Sequence, residues 1–509
     1  MPPARTARII EHVGGTWENK HRNIQQQFDK LYDVWNPAPP VTGFFEDLQL
    51  TVAALQDLIG SAITDGRTLR AIGGGWSLSR AAVTDGRLIN TAPLNWYFPV
   101  PSNRLAAAFE GDRTSVFFLQ CGASVAEVNS YLFSNNPQKA LKTSGASNGQ
   151  TIAGAFSTGT HGSAFSFGAM QDYVIGLYLI PGPDRAVWIE RASRPVFSNA
   201  LVTRLGAELI RDDGVFNDAL VSFGSFGLLF GIAIESDPLY LLEASRKRHP
   251  INQNLMQAMR TLDLSLIPTP FPNETPYHFD VVVNPHDTRN GAYVTTMYKR
   301  PYRTDYIHPV PSPDGRGPGD DLLAIVGKLG ERIPDVVIPV LNTIMQREYK
   351  EYDRKLGTPG EIFAANLGSQ KAMTAEIGVP LERAADALQL MLSLPELLQY
   401  AGVLAFRYVR QSGASLAFTK FPTTCTIEFP SGAAQTTVNF MNAVWNALEA
   451  ANIPFTEHWG QMNNFTPTRV RAMWGDAAVD HWIGTRNQLL DAPSRAVFSS
   501  SFLQQCGLG

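Results

Sequence analysis

Residues 70–79 read RAIGGGWSLS: an apolar run, three consecutive glycines, then two hydroxyls separated by a leucine. The apolar part predicts a short strand over 69–72 that runs straight into Gly73, Gly74 and Gly75. Glycines let successive backbone N–H groups converge on an anion without Cβ interference, and Ser77 and Ser79 add donors, which is the chemistry that holds a pyrophosphate. A P-loop is excluded, because no Lys-Ser or Lys-Thr follows a suitably spaced glycine pair. The dinucleotide fingerprint fails as well. Gly73 and Gly75 fit its first two glycines, but Leu78 occupies the sixth position and no acid follows ~20 residues on. On this segment alone, a plain flexible turn is the other reading.

Moving outward, Val52, Leu55, Ile59 and Ile63 recur near helical spacing after Thr51, which predicts an amphipathic helix with Thr51 capping its first turn. TSVFFLQC at 114–121 reads as a buried strand, and SVAEVNSYLF after it as a helix capped by Ser124. Strand and helix signals alternate here. Residues 144–180 differ in kind, because SGASNGQTIAGAFSTGTHGSAFSFG packs small residues densely before the strand VIGLYLI. Such a span predicts close approach of the backbone to something else. VSFGSFGLLFGIAI, residues 221–234, reads as an apolar strand punctuated by Gly224, Gly227 and Gly231. The first 40 residues show no clear period and read as an arm wrapping a domain. After Pro238 the texture changes. Strands are expected at 278–284, 293–299, 374–379, 403–409 and 424–429, helices within 321–350 and 381–399, and a loop at 301–320, which holds five Pro and three Gly.

The chain has 509 residues, 44% of them hydrophobic, which predicts two domains with a generous core. Its net charge of -4 gives no electrostatic reason to bind nucleic acid. No apolar run approaches the roughly 20 residues of a membrane span, and the start MPPARTARIIEHVGG lacks a signal-peptide core, so a cytoplasmic enzyme is expected. Cys121, Cys425 and Cys506 are odd in number and widely spaced, which predicts small buried hydrophobes and no disulfide framework. The nine His are scattered without an H-E-x-x-H pattern, so no metal is expected.

The order GGGWSLS, TDGRLINTAPLN, SGASNGQTIAGAFSTGTHGS, GSFGLLFGI resembles the FAD domain of the vanillyl-alcohol oxidase and p-cresol methylhydroxylase flavoprotein superfamily. HFDVVVNPHD, MTAEIGVPLER, LAFRYVR and TCTIEF look like cap strands of its aldonolactone and alditol oxidase branch, and TEHWGQMN is similar to that branch's His-Trp-Gly-Lys segment. Together these cover about residues 45–509. The resemblance implies an α+β, two-domain FAD-binding fold of the PCMH type: an FAD domain from residues 1–240 with a returning segment 455–509, and a cap domain from 241–454. By the same resemblance Gly73, Gly74, Gly75, Trp76, Ser77, Leu78 and Ser79 would hold the pyrophosphate. Ser144, Gly145, Ser147, Thr151, Gly154, Ser157, Thr158, Gly159, His161 and Gly162 would run along the flavin and its ribityl chain. Gly227 and Ile232 would line the adenine and flavin side. The implied activity takes a hydride from an alcohol, lactone or related CH–OH group onto flavin N5, with reoxidation by oxygen or another acceptor. A flavoprotein of the same fold with non-redox or structural use of FAD is the alternative.

The departures from the family pattern sharpen this. Covalent members carry a His after the glycines, bonded to the flavin 8-methyl carbon; Trp76 stands there, so FAD is expected to be non-covalent. His161 is expected to pack and hydrogen-bond near the cofactor. In LAFRYVR, Ala405, Arg407 and Val409 share one strand face, and relatives have Glu-x-Arg where this chain has Ala405 and Arg407. An arginine there can stabilise an alkoxide or reduced flavin. Gln461 follows His458, Trp459 and Gly460 where relatives have Lys. Glu376 and Glu428 each read either as a base facing the flavin or as an exposed strand carboxylate, with the exposed reading favoured at Glu428. The expected catalytic set is Arg407, Glu376, Gln461 and His458. Loss of two charged groups suggests a substrate less polyhydroxylated or less acidic than a sugar.

Overall fold

The computed structural model describes residues 6–37, 43–310, 317, 322, 325–326, 338–365 and 371–509. Three sheets of four or more strands organise them, beside a two-stranded ladder of Lys139–Ala140 and Asp237–Pro238. A small sheet has the order Arg8–Glu18, Gln25–Trp35, Arg87–Asn90, Leu69–Ile72, antiparallel in the first pairing and parallel in the other two. A middle sheet runs Glu208–Arg211, Arg185–Glu190, Val174–Gly182, Leu228–Glu235, Val116–Gln120, Tyr97–Pro99. A large antiparallel sheet has eight strands, in the order Tyr352–Gly357, Tyr240–His249, Ala292–Pro301, His278–Val283, Leu404–Arg410, Thr423–Gly432, Ala372–Pro380, Thr456–Glu457.

The two N-terminal strands correct the expectation of a wrapping arm. Gln26, Tyr32 and Val34 are the buried positions of the second strand, at period-two spacing, but polar residues occupy much of the rest and the first strand is exposed on both faces. A strand that buries so little carries almost no hydrophobic alternation, so its pattern is faint in the sequence. The first helix runs Phe44–Thr64, earlier than expected. Thr51 is a buried mid-helix residue, not a cap; its hydroxyl donates to Asn36 Oδ1 at 3.0 Å and to the Asp47 carbonyl at 3.1 Å. Leu55, Leu58, Ile59 and Ala62 of that helix join Phe118, Tyr178 and Trp188 of the middle sheet in one apolar cluster. Ser124 does cap the helix Val125–Ser134, in a reciprocal box with Glu127.

The expected strand over 221–234 begins only at Leu228. Phe223, Gly224 and Gly227 all have positive φ, so residues 221–227 turn as a loop before the ladder starts. The expected helix over 321–350 is described only in part, as Ile338–Glu348; the remainder of that span lies almost wholly outside the described residues, as does most of the Pro-rich stretch after 310. The span 381–399 is one α-helix, Ala384–Ser393, between two 3-10 turns.

Alternation divides the large sheet into two chemically distinct faces. Phe279, Val281, Ile377, Phe406, Ile427 and Phe429 pack with Leu388, Met391, Phe440 and Val444 of two covering helices. The opposite face carries Asp280, Glu376, Arg407 and Glu428. The helix Asp476–Leu489, near the C-terminal end, returns to the N-terminal half, where His481 bonds Asp218 at 2.7 Å, Trp482 Nε1 donates to the Val221 carbonyl at 3.1 Å and Arg486 Nε to the Ser225 carbonyl at 3.1 Å. All three cysteines are buried and unbridged. Among the described residues, no helix is long and apolar enough to cross a membrane.

Candidate active site

A cleft with about 290 Å³ open to the centres of water-sized molecules lies between the glycine loops and the charged face of the large sheet. Of the residues singled out in the sequence, Gly159 and Ile232 do not line it. Ile232 is fully buried within the middle sheet, and Gly159, at φ 88, backs onto Phe418. The others do.

On one side, strand Leu69–Ile72 delivers the loop 73–79. A Cβ at Gly74 would sit 2.7 Å from the Gly149 carbonyl, so the glycines are needed first for one backbone loop to lie against another, rather than against a ligand. Gly75 turns at φ 69. Among the described residues, the backbone N–H groups of Gly74, Gly75, Trp76 and Ser77 have no hydrogen-bond partner. Half-buried amides left this way favour an acceptor. The loop is braced from three directions. Leu78 N–H and the Ser77 hydroxyl donate to the Gly460 carbonyl at 2.8 and 3.1 Å, while Asn19 and Asn23 of the N-terminal hairpin donate to the carbonyls of Ser77 and Leu78 at 2.8 and 2.9 Å. Arg70, 2% exposed, donates to the Ala81, Phe223 and Gly224 carbonyls and so ties two cleft loops together. Burial, with Arg486 nearby, lowers its pKa to about 10. These asparagines and Arg70 escaped sequence reasoning, since nothing in an isolated Asn or Arg marks it as a loop brace.

Strand register builds the opposite side. One row across the sheet is Tyr293, Val282, Ala405, Glu428, Glu376; the next is Arg246, Thr295, Asp280, Arg407, Thr426, Gly378. Glu428 is thus directly across from Ala405, and it is buried, not exposed as its sequence suggests. Its Oε2 accepts from Arg407 Nη1 at 2.8 Å, and the same nitrogen lies 3.6 Å from Glu376 Oε1. Burial alone would lower the Arg407 pKa, but Glu428, Glu376 and Asp280 raise it.

Glu376 is the hub. Its Oε2 accepts from Gln461 Nε2 at 3.1 Å. Oε1 is 3.2 Å from His161 Nε2 but makes no well-directed hydrogen bond, and the residue is only 3% exposed. Burial opposes ionisation of this carboxyl, yet His161, His458 and Arg407 together hold its pKa down to about 2. His161 Nδ1 faces the Gly162 carbonyl at 2.8 Å, an acceptor only, so that nitrogen carries a proton, and Nε2 is turned toward Glu376. His458 Nδ1 accepts from Gly460 N–H at 3.0 Å, and burial pushes its pKa down to about 4, so it is a neutral imidazole at neutral pH.

His161, Glu376 and His458 bring their ligand atoms within 4.8 Å of one another, a constellation hidden by their separation in sequence. The Arg407 guanidinium lies beside this carboxylate and the Gln461 amide donates to its Oε2, so a positive charge already stands next to it, which disfavours a dication. Trp76 Nε1, Gln150 Oε1, Glu376 Oε1 and Gln461 Oε1 all line the cleft, buried and without a hydrogen bond. Unsatisfied groups of this kind facing one cavity fit a large polar ligand such as FAD, with the free amides of 74–77 suited to its pyrophosphate.

No family model matches the chain. It is 26% identical over 351 residues to L-gulono-1,4-lactone dehydrogenase of Mycobacterium tuberculosis, covering 67% of this chain and 68% of that protein. It is 24% identical over 200 residues to D-arabinono-1,4-lactone oxidase of Candida albicans, 38% of this chain and 32% of that one. The fold is that of cholesterol oxidase from Brevibacterium sterolicum, at TM-score 0.70 and 11% identity over 99% of both chains. Xylooligosaccharide oxidase from Myceliophthora thermophila C1 shares it at TM-score 0.60 and 12% identity, over 95% of this chain and 93% of that one.

Proposed function

We propose that this relative of lactone oxidases and dehydrogenases binds FAD non-covalently in the cleft and oxidises a CH–OH group of a small molecule, an alcohol or hydroxylactone. One observation carries the reading. Four residues of a glycine loop whose backbone amides are unpartnered line the same cleft as a half-buried arginine held between two carboxylates. The N-terminal half with the returning C-terminal helices forms the FAD-binding unit in this reading, and residues 241–454 the cap.

The amides of 74–77 and the Ser77 and Ser79 hydroxyls would hold the pyrophosphate, and Trp76, lacking a nucleophilic nitrogen, leaves the cofactor unattached. FAD supplies a two-electron acceptor. The chain's own groups do the rest. Arg407, permanently charged, faces the space beside Glu376 and would steady negative charge developing on the substrate oxygen. Glu376, ionised at neutral pH, would accept the substrate hydroxyl at Oε1, the oxygen with no directed partner, while Gln461 fixes Oε2. His161, with Nε2 3.2 Å from Glu376 Oε1, would pass on the proton that this carboxylate accepts. His458 stays neutral and acts by holding the Gly460 backbone, to which the 77–79 loop is tied.

The test is direct. Purified protein should be yellow, acid precipitation should release FAD into the supernatant, and anaerobic addition of alcohols or lactones should bleach the flavin. Oxygen or another acceptor would restore the colour. A colourless protein that takes up no FAD sinks the cofactor assignment, flavin left in the pellet sinks the non-covalent one, and a yellow protein no CH–OH compound bleaches sinks the redox one.

A further inference from the structure

Resting on that reading, we propose that the substrate carries an apolar substituent next to its CH–OH group, and that this substituent is received beside Ala405. The two sheet rows divide the far end of the cleft by chemistry. At the strands Ala372–Pro380 and Thr423–Gly432 the lining is Glu376 and Glu428; on the next two strands, at the same level, it is Ala405 and Val282. Tyr349 and Leu322 complete that second part of the lining. Ala405 and Val282 are 1% and 2% exposed and belong to a buried cluster with Tyr293, Val403 and the helix residues Leu341 and Met345, so apolar contact continues behind the cleft surface.

Two features make this a subsite rather than leftover space. First, the nearest charged row is already engaged with itself. Arg246 donates to Thr295 at 3.2 Å and stacks 3.7 Å from the Tyr349 ring centroid, and the half-buried Asp280 lies between Arg246 and Arg407 in the row. Sugar hydroxyls entering beside Ala405 would find few open partners, and a buried hydroxyl left unsatisfied disfavours binding. Second, Arg407 receives its carboxylate from Glu428, across the ladder, so residue 405 is released from that role and its short side chain opens the cleft. The hydroxyl end is thus fixed by Glu376 and Arg407, and the end beside Ala405 selects carbon.

The experiment uses the FAD-loaded protein and two matched pairs: α-hydroxy-γ-butyrolactone against its 3,3-dimethyl analogue, and glycerol against 1-phenyl-1,2-ethanediol. Anaerobic stopped-flow reduction should favour the substituted member of at least one pair by roughly tenfold or more, the scale of a filled apolar pocket. Ala405→Phe should collapse that ratio toward one. Equal rates within both pairs, or a ratio unchanged in Ala405→Phe, overturns the subsite. Titration followed by perturbation of the flavin spectrum separates the two levels of the reading. Preferential binding that Ala405→Phe abolishes, without bleaching, keeps the subsite and removes the redox activity; binding without preference removes the subsite whatever the flavin does.

Discussion

The two sides of the cleft are made by opposite means. The 73–79 side is backbone: glycines that let loops touch, amides left without partners, and braces that fix carbonyls. The sheet side is side chain: Arg407, Glu428 and Glu376, drawn from three strands and aligned only by register. The first can recognise a shape and a charge common to many nucleotides, and the second can recognise one hydroxyl. Cofactor binding and substrate chemistry are therefore separable by mutation, because each depends on a different kind of atom.

The largest expected effect breaks the backbone side. In Gly74→Val a Cβ would lie 2.7 Å from the Gly149 carbonyl and 3.0 Å from the Trp76 ring, and a backbone oxygen cannot swing away as a side chain can. The two loops must separate, so FAD occupancy after purification should fall to near zero, with a loss of about 3 kcal/mol in urea unfolding. Normal occupancy in this variant would show that the loop contact is dispensable. Arg407→Ala breaks the other side. Flavin content should be unchanged while anaerobic flavin reduction slows by roughly 10² or more, the scale of losing one preorganised donor to a developing oxyanion. An unchanged reduction rate would remove Arg407 from the chemistry.

How much of each side could be read in the sequence follows from the same contrast. RAIGGGWSLS is contiguous, so its strand, its turn and its donors are all visible within ten residues. What the glycines touch was not visible, because Gly149 lies on a distant loop. The strand faces of LAFRYVR were legible from alternation, but Glu428 looked like a solvent-exposed carboxylate until register placed it opposite Ala405. No spacing rule joins His161, Glu376 and His458. The N-terminal hairpin was missed because its strands bury too little to show a period, and the Asn19 and Asn23 contacts that give it a place at the cleft leave no local mark.

A relocation tests the side-chain assembly more finely. Glu428→Ala should leave Arg407 with a longer-range carboxylate only and slow flavin reduction by about tenfold, the scale of one charged hydrogen bond. Adding Ala405→Glu returns a carboxylate to the neighbouring position on the same face and should recover most of the rate on an unsubstituted alcohol. If the double variant is no faster than Glu428→Ala, the carboxylate must act from strand Thr423–Gly432 alone, and register is not interchangeable here.

The last effect leaves the cleft untouched and concerns a carboxyl on the sheet's other face. Glu457 pairs in register with Ile377, so it points away from Glu376 and into the covered side; it is fully buried, its Oε2 accepts from Asn464 N–H at 2.9 Å and Oε1 has no partner. Neighbouring cations hold Glu376 down to about 2, whereas burial dominates at Glu457 and raises it from 4.5 to about 8. The folded state therefore binds this proton more tightly than the unfolded chain. Between the two values the folded protein holds more protons, so stability falls as pH rises from about 4.5 to about 8, by at most ~1.4 kcal/mol per pH unit from this group. Glu376 contributes no slope there, since it is ionised in both states above the unfolded value. Urea unfolding across that range should give a decline in wild type that is shallower in Glu457→Gln, an isosteric amide that cannot ionise. Identical slopes in the two proteins would mean that Glu457 finds a countercharge or water when it ionises, and that the covered face is not as dry as the residues around it make it.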